Sequence, residues 1–204
     1  FGDELDALGV LPHAVGGPAV AGEVVEERQV VVVAGAADLQ RRGRAPVERQ
    51  REGEVVVVAS SKDKNYSYVP KGYTIPADAD YFHCTSNNTI FGTQIKEFPK
   101  TDIPLVCDMS SDIFSRKLDF TKFDLIYAGA QKNMGPAGTT LVVVKDEILG
   151  KNGRNIPSML NYQTHITKES MHNTPPVFAV YVSMLTLQWL KDLGGIAAIE
   201  KIND

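Results

Sequence analysis

The segment Tyr127-Ala-Gly-Ala-Gln-Lys-Asn-Met-Gly-Pro-Ala-Gly138 joins two apolar runs, residues 123–127 and 139–144, that are typical of buried strands. Its interior turn carries a lysine at position 132. Burying an ammonium group is costly unless the charge is paired or the amine is used chemically. Lys132 is therefore a candidate for covalent chemistry, such as a Schiff base with a carbonyl cofactor.

Working outward from this turn, short β-branched runs alternate with polar connections. This pattern predicts an α/β fold with a mostly parallel sheet and flanking helices. The predicted strands cover residues 30–33, 54–59, 80–85, 104–108, 123–128 and 140–145.

A long helix is predicted over residues 175–193, because two prolines open the segment and two glycines close it. Its apolar residues recur at helical spacing, so side chains such as Met184 and Trp189 are predicted to pack in the core. Shorter helices are predicted over residues 37–51 and from residue 194 onward.

The composition changes sharply near residue 55. Before Ser60 the chain contains no Lys, Ile, Ser, Thr or Asn, whereas lysine is common from Lys62 onward. We expect residues 1–53 to form an atypical N-terminal segment and residues 54–204 to form the folded domain. Two interpretations of residues 1–53 stay open: a foreign or disordered segment, and an unusual natural extension.

Charge, apolar runs and cysteine usage argue against nucleic-acid binding, a membrane span and secretion. The net charge of −4 without a basic stripe argues against nucleic acid as a partner. No apolar run approaches the roughly 20 residues that span a bilayer, and the first residues lack a secretory signal pattern. Cys84 and Cys107 each lie in an apolar run and are predicted to be reduced, which favours a cytoplasmic location.

Four motifs occur in a fixed order: Tyr81-Phe-His-Cys-Thr-Ser-Asn-Asn-Thr-Ile-Phe-Gly92, Val106-Cys-Asp-Met-Ser-Ser-Asp-Ile113, the lysine segment and His172-Asn-Thr-Pro-Pro176. Together they resemble the phosphoserine aminotransferase family, which belongs to the class V, fold-type I enzymes that use pyridoxal 5'-phosphate. The resemblance covers residues 54–204 and leaves out residues 1–53. It implies part of the large domain of such an enzyme, truncated at the C-terminus.

The resemblance implies a role for specific residues of the cofactor site. Lys132 would bind the cofactor covalently and act in catalysis, and Asp108, at the end of a predicted strand, would pair with the pyridine nitrogen. Thr89 would hydrogen-bond near the cofactor ring, and no metal ion is implied. His83, although tempting as a base, is interpreted as a satisfied strand residue.

The cofactor phosphate would be bound by a different group of side chains. Gln131 would donate a hydrogen bond from the same subunit, whereas Asn173 and Thr174 would reach into the neighbouring subunit's site. The resemblance therefore implies a homodimer with composite sites. Ser110 and Ser111 are further candidate contacts.

The implied reaction exchanges an amino group between glutamate and 3-phosphohydroxypyruvate, giving phosphoserine and 2-oxoglutarate in serine biosynthesis. The family's substrate-binding arginine, glycine-rich phosphate turn and ring-stacking tryptophan have no match in this sequence. Two alternatives therefore stay open: a non-catalytic truncated or chimeric fragment, and another class V aminotransferase.

Overall fold

The computed structural model describes residues 28–34, 56–151, 153 and 155–204, and for residues 28–34 it describes the backbone. Five strands form one sheet: β1 (Arg28–Ala34), β2 (Phe82–Thr85), β3 (Leu105–Asp108), β4 (Leu125–Gly129) and β5 (Thr139–Lys145). The helices are α1 (Tyr162–Thr167), α2 (Val177–Asp192) and α3 (Ile196–Asn203). Short 3-10 turns cover Lys62–Lys64, Phe120–Lys122, Asp146–Ile148 and Ser158–Leu160.

The sheet has the strand order β1-β5-β4-β3-β2. Strands β2, β3 and β4 are parallel to one another, whereas β5 is antiparallel to both of its neighbours, β4 and β1. Four of the five described strands therefore run in one direction. This arrangement confirms the predicted mostly parallel α/β sheet.

The core lies where the central strands meet the helices and the segment that follows β3. Leu105, Cys107 and Ile126 alternate along β3 and β4 and are almost fully buried, and Val143 of β5 belongs to the same cluster. Leu190 brings α2 onto this core. The alternation follows from the period of two in a strand, which sends successive side chains to opposite faces.

Two strand predictions on valine-rich runs had opposite outcomes. Residues 30–33 lie in β1, which pairs along its whole length with β5. The strand predicted over residues 54–59 is wrong for its described part, because residues 56–59 form no strand and Val56 and Val57 are 62% and 63% exposed. Because β1 already pairs with this edge of β5, the valine-rich run at residues 54–59 cannot pair there. The helix predicted over residues 37–51 lies outside the described residues.

The long predicted helix is confirmed as α2, but its predicted burial is wrong. Met184 and Trp189 are 53% and 56% exposed, and Phe178 is 74% exposed. Only Ala179 and Leu190 of α2 are buried within the described part of the chain. Helical periodicity correctly groups these residues on the helix, but it carries no information about whether another element covers them.

Candidate active site

Polar groups gather at the carboxyl ends of the three parallel strands. Thr85, Asp108 and Tyr127 are aligned across β2, β3 and β4 near this edge. The loops that follow these strands carry Thr89, Ser111 and Lys132 respectively. Because open α/β sheets bind ligands at the carboxyl ends of their strands, this edge is the expected position of a site.

The turn between β4 and β5 fixes the backbone around Lys132. Ala130 closes it, because its N–H donates to the Thr139 carbonyl at 3.0 Å and its own carbonyl accepts from the Gly135 N–H at 2.9 Å. Gly135 has a φ of 151°, a conformation that residues with a Cβ rarely adopt. The turn thus holds the half-buried lysine at the end of the sheet.

The amine of Lys132 meets two hydroxyl groups from separate loops. Its Nζ donates to the Thr89 Oγ1 and, at 2.6 Å, to the Ser111 Oγ. The two hydroxyl oxygens are 2.5 Å apart. Three segments that are distant in sequence therefore converge on one amine, and they bring Thr89 and Ser111 into contact with Lys132.

Asp108 ends β3 with a half-buried carboxylate beside this cluster of segments. Its Oδ1 accepts the Ser110 N–H at 2.8 Å, and the buried Ser110 hydroxyl accepts the Gly129 N–H at 3.1 Å. These two bonds connect the end of β3 to the end of β4, from which the lysine turn departs. The Asp108 carboxylate is thus connected, through Ser110, to the strand end from which the lysine turn departs.

His83, on β2, contacts Tyr127, on β4. Its Nε2 lies 3.0 Å from the Tyr127 hydroxyl, and the two rings are stacked at 6.0 Å between centroids. This contact agrees with its interpretation as a satisfied strand residue.

Gln131 lies next to Lys132 in the sequence, whereas Asn173 and Thr174 lie in a different segment of the chain. Gln131 precedes the lysine and is half-buried. Asn173 and Thr174 are exposed, in the segment that leads into α2, where the Asn173 side chain donates to the Thr174 carbonyl at 3.3 Å. The roles of all the predicted site residues stay predictions.

Ser111 was predicted only as a further candidate contact, but it lies directly against the lysine. It is one of the two hydroxyl partners of Lys132. A pair of serines directly after a strand that ends in aspartate was the available signal, because both follow the carboxyl end of a parallel strand.

Behind Asp108, the strands place two thiols together. Cys84 and Cys107 are aligned across β2 and β3, and their Sγ atoms are 3.7 Å apart. The hydrogen bond with Cys84 and burial both raise the pKa of the Cys107 thiol. Both cysteines are free, as predicted.

The described residues include neither a metal-binding group of side chains nor a helix that could span a membrane. Among them, no group of three or more His, Cys, Asp or Glu side chains is placed to hold a metal ion. None of the helices in this part of the chain is long and apolar enough to cross a membrane.

An amine, a carboxylate and hydroxyl groups at the carboxyl edge of such a sheet are typical of an enzyme site that attaches a carbonyl cofactor. The model of the class V aminotransferase family matches residues 24–204, and the chain belongs to this family. The match begins upstream of β1, and the boundary predicted between residues 53 and 54 stays a prediction.

Several individual relatives share a name that is more specific than that of the family. A phosphoserine aminotransferase of Flavobacterium johnsoniae is 81% identical over 152 residues, which cover 74% of this chain and 43% of that protein. A solved phosphoserine aminotransferase, studied for radiation damage of its Schiff base, matches with a TM-score of 0.79 and 40% identity over 86% of this chain and 56% of the other. A pyridoxal-phosphate-bound phosphoserine aminotransferase of Trichomonas vaginalis matches with a TM-score of 0.78 and 30% identity, over 86% of this chain and 60% of the other.

The chain spans less than half the length of the curated relatives that it matches. The structural matches confirm the predicted fold class, part of the large domain of a fold-type I enzyme.

Proposed function

We propose that this chain carries the cofactor site of a phosphoserine aminotransferase and binds pyridoxal 5'-phosphate through Lys132. The observation that carries the proposal is the convergence of Thr89 and Ser111 on the Lys132 amine at the carboxyl edge of the sheet. The 81% identity to a phosphoserine aminotransferase supports the choice of reaction. The reaction is the exchange of an amino group between glutamate and 3-phosphohydroxypyruvate, a step of serine biosynthesis.

The donor set fits this cofactor group by group. Lys132 supplies a primary amine for the aldehyde, and Asp108 supplies a carboxylate for a protonated pyridine nitrogen. Thr89 and Ser111 supply hydroxyl groups that hydrogen-bond without adding charge. When bound, pyridoxal phosphate supplies an electron sink for negative charge at the substrate Cα.

Each residue has a distinct task in this proposal. The Lys132 amine would move a proton from the substrate Cα to the cofactor carbon C4′ in the first half-reaction, and from C4′ to the Cα of the new amino acid in the second. The Asp108 carboxylate keeps the pyridine nitrogen protonated through a charge-assisted hydrogen bond, which contributes roughly 1.5–3 kcal/mol. The Ser110 backbone N–H donates a hydrogen bond to the Asp108 carboxylate and holds it in place.

The phosphate group and the dimer belong to the same proposal. Gln131 donates to the phosphate from the lysine turn, and Asn173 and Thr174 donate to the phosphate in the second subunit of a homodimer. The exposure of Asn173 and Thr174 supports this role, because both side chains are accessible to a partner. The two free thiols 3.7 Å apart support a reducing compartment, the cytoplasm.

A spectroscopic titration tests the covalent step. The protein is incubated with pyridoxal 5'-phosphate, scanned in the visible range, reduced with borohydride and digested for peptide mapping. We expect a visible band and a reduced adduct on Lys132, both lost in Lys132→Ala. The matched control is Lys122→Ala, which removes an exposed lysine whose partner, Asp119, lies 3.9 Å away. An adduct that survives in Lys132→Ala would refute the assignment.

Turnover is tested separately on the loaded protein. Glutamate should remove the visible band and release 2-oxoglutarate, and 3-phosphohydroxypyruvate should restore it and yield phosphoserine. Restoration by other 2-oxo acids but not by 3-phosphohydroxypyruvate would point instead to another class V aminotransferase.

One observation favours a second function, cofactor binding without turnover. The exposed apolar side chains of α2 (Val177, Phe178, Val180, Tyr181, Met184, Leu185 and Trp189) form a surface typical of an interface. A chain whose α2 stays uncovered would bind the cofactor without completing a dimeric site. A band that forms with pyridoxal phosphate but persists with glutamate would support this alternative.

A further inference from the structure

We infer that Asp112 is a positioning residue of the cofactor site, because its carboxylate fixes the loop that presents Thr89 to Lys132. The inference rests on the proposed function and concerns a residue that does not itself contact the lysine. Asp112 is only 3% exposed and lies next to Ser111 in sequence. A carboxylate so deeply buried requires several compensating partners.

The Asp112 carboxylate binds both ends of the Thr89 loop. Its Oδ1 accepts the hydroxyl of Ser86, which is fully buried at the start of the loop. Its Oδ2 accepts the Gln94 amide at 3.0 Å, near the end of the loop. One carboxylate therefore holds the two ends of residues 86–95 together, and Thr89 lies between them.

A cation completes this arrangement. Arg116 donates from Nη2 to the Asp112 Oδ2 at 3.2 Å, and the same nitrogen donates to the Ile95 carbonyl at 2.8 Å. The side chains of Asp112 and Arg116 are 5% and 12% exposed, so solvent screens this ion pair weakly. The arginine thus neutralises the carboxylate and adds a second contact to the end of the loop.

The internal bonds of the loop carry this restraint to Thr89. The Ile95 N–H donates to the Ser86 carbonyl at 2.8 Å, and the Asn88 N–H donates to the Thr93 carbonyl at 2.8 Å. The Asn88 Oδ1 accepts the Ile90 N–H at 3.1 Å, which closes a turn around Thr89. Freeing the two ends of the loop would therefore displace the Thr89 hydroxyl, although no group in contact with the lysine is removed.

Hydrogen exchange of the protein without cofactor tests the restraint independently of the proposed function. We expect Asp112→Ala to accelerate exchange of the Asn88, Gly92 and Ile95 amides. The matched control is Asp124→Asn, which also removes a partly buried carboxylate, here paired with Lys145 at 3.3 Å at the opposite end of the strands. Equal exchange of the loop amides in the two variants would overturn the inference. If Asp112→Ala does not fold, Gln94→Ala removes a single loop contact and is expected to have a smaller effect on the same amides.

Cofactor binding provides the second measurement. In Asp112→Asn, which keeps an acceptor oxygen but loses the charge, we expect the Kd for pyridoxal 5'-phosphate to rise by about tenfold, by analogy with the loss of outer-shell partners at metal sites. The pH dependence of the visible band should also shift, because the Thr89 hydroxyl bonds the reacting nitrogen. If Asp112 has a purely structural role, Asp112→Asn and Asp124→Asn should lower stability alike and leave the visible band and the Kd unchanged. That result would contradict the inference. If the unaltered protein shows no band dependent on Lys132, the proposed function fails, and the exchange experiment still decides the role of Asp112.

Discussion

A Cβ atom built on Gly135 would come within 2.9 Å of the Ser183 Oγ and 3.2 Å of the Ser183 Cα. The turn that carries Lys132 therefore packs directly on helix α2 at a point where no side chain fits. Gly138 makes the same kind of approach, because its added Cβ would lie 3.2 Å from the Ala179 Cβ. The lysine turn therefore packs closely against α2 at two glycine positions.

Gly135→Ala should destabilise the protein and weaken cofactor binding. The added methyl group meets the α2 backbone, and the φ of 151° is unfavourable for alanine, so we expect a loss of roughly 1–3 kcal/mol in the free energy of unfolding. Urea denaturation measures the loss. Gly150→Ala is the control, because Gly150 also has a positive φ but has open space around its Cβ position. An equal loss in both variants would show that helix contact is unimportant.

Ser110→Ala should destabilise the protein, because it removes the hydrogen bond that links the ends of β3 and β4. The Ser110 hydroxyl is 1% exposed and accepts the Gly129 N–H, so its removal leaves a buried donor unpaired and costs about 1–3 kcal/mol. Chemical denaturation of Ser110→Ala and of Ser67→Ala, an exposed serine, makes the comparison. The prediction fails if the two variants unfold at the same urea concentration.

Stability should fall at alkaline pH because of Cys107. The contact with Cys84 and burial raise the pKa of the Cys107 thiol in the folded state. The folded state therefore binds this proton more tightly than the unfolded state, where the thiol pKa is about 8.5. The resulting stabilisation is complete below that pH and is lost as the pH rises above it.

The free energy of unfolding, measured in urea between about pH 8.5 and 9.5, should thus decrease with pH by up to about 1.4 kcal/mol per unit for this one proton. This window lies below the usual range of tyrosine ionisation, near pH 10. Cys107→Ala should flatten the slope while lowering stability at neutral pH. An unchanged slope in Cys107→Ala would assign the effect to another group.

The exposed face of α2 should drive association of the chain. Phe178 and Trp189 are 74% and 56% exposed, and burying two such aromatic groups contributes several kcal/mol to an interface. We expect Phe178→Ser with Trp189→Ser to raise the monomer fraction in sedimentation velocity at equal protein concentration. Ile202→Ser, on α3, is the control for the loss of one exposed apolar side chain. Association that persists unchanged in the double variant would place the contact elsewhere.

The sequence predicted secondary structure better than it predicted which segments pack against each other. Strand runs and the proline-to-glycine span of α2 were recognised because their signals lie within a few residues. Asp108 was predicted at the end of the strand that precedes the lysine turn, and the structure has it there: Asp108 ends β3, β4 runs parallel to β3, and Lys132 lies in the turn after β4. The burial of Met184 and Trp189 was predicted wrongly because burial depends on what packs against a helix.

The support around the site was missed for a related reason. Asp112 contacts Ser86 and Gln94, which are far away in the sequence, and no periodic pattern links the three. Such a network exists only after β2 and β3 pair. A buried acid in a polar loop is indistinguishable, in the sequence alone, from a solvated one.

The reversed direction of β5 has a consequence for how the molecule folds. Because Gly129 pairs with Thr140, the lysine turn closes a short hairpin, whereas β2, β3 and β4 pair only across long connections. Closing a short loop costs less chain entropy and occurs within microseconds, so we expect the hairpin to form early. The Lys132 amine would then be in place before the loops that carry Thr89 and Ser111 pack against it. The slow, non-local pairing of β2 and β3 would limit the rate at which this cluster forms.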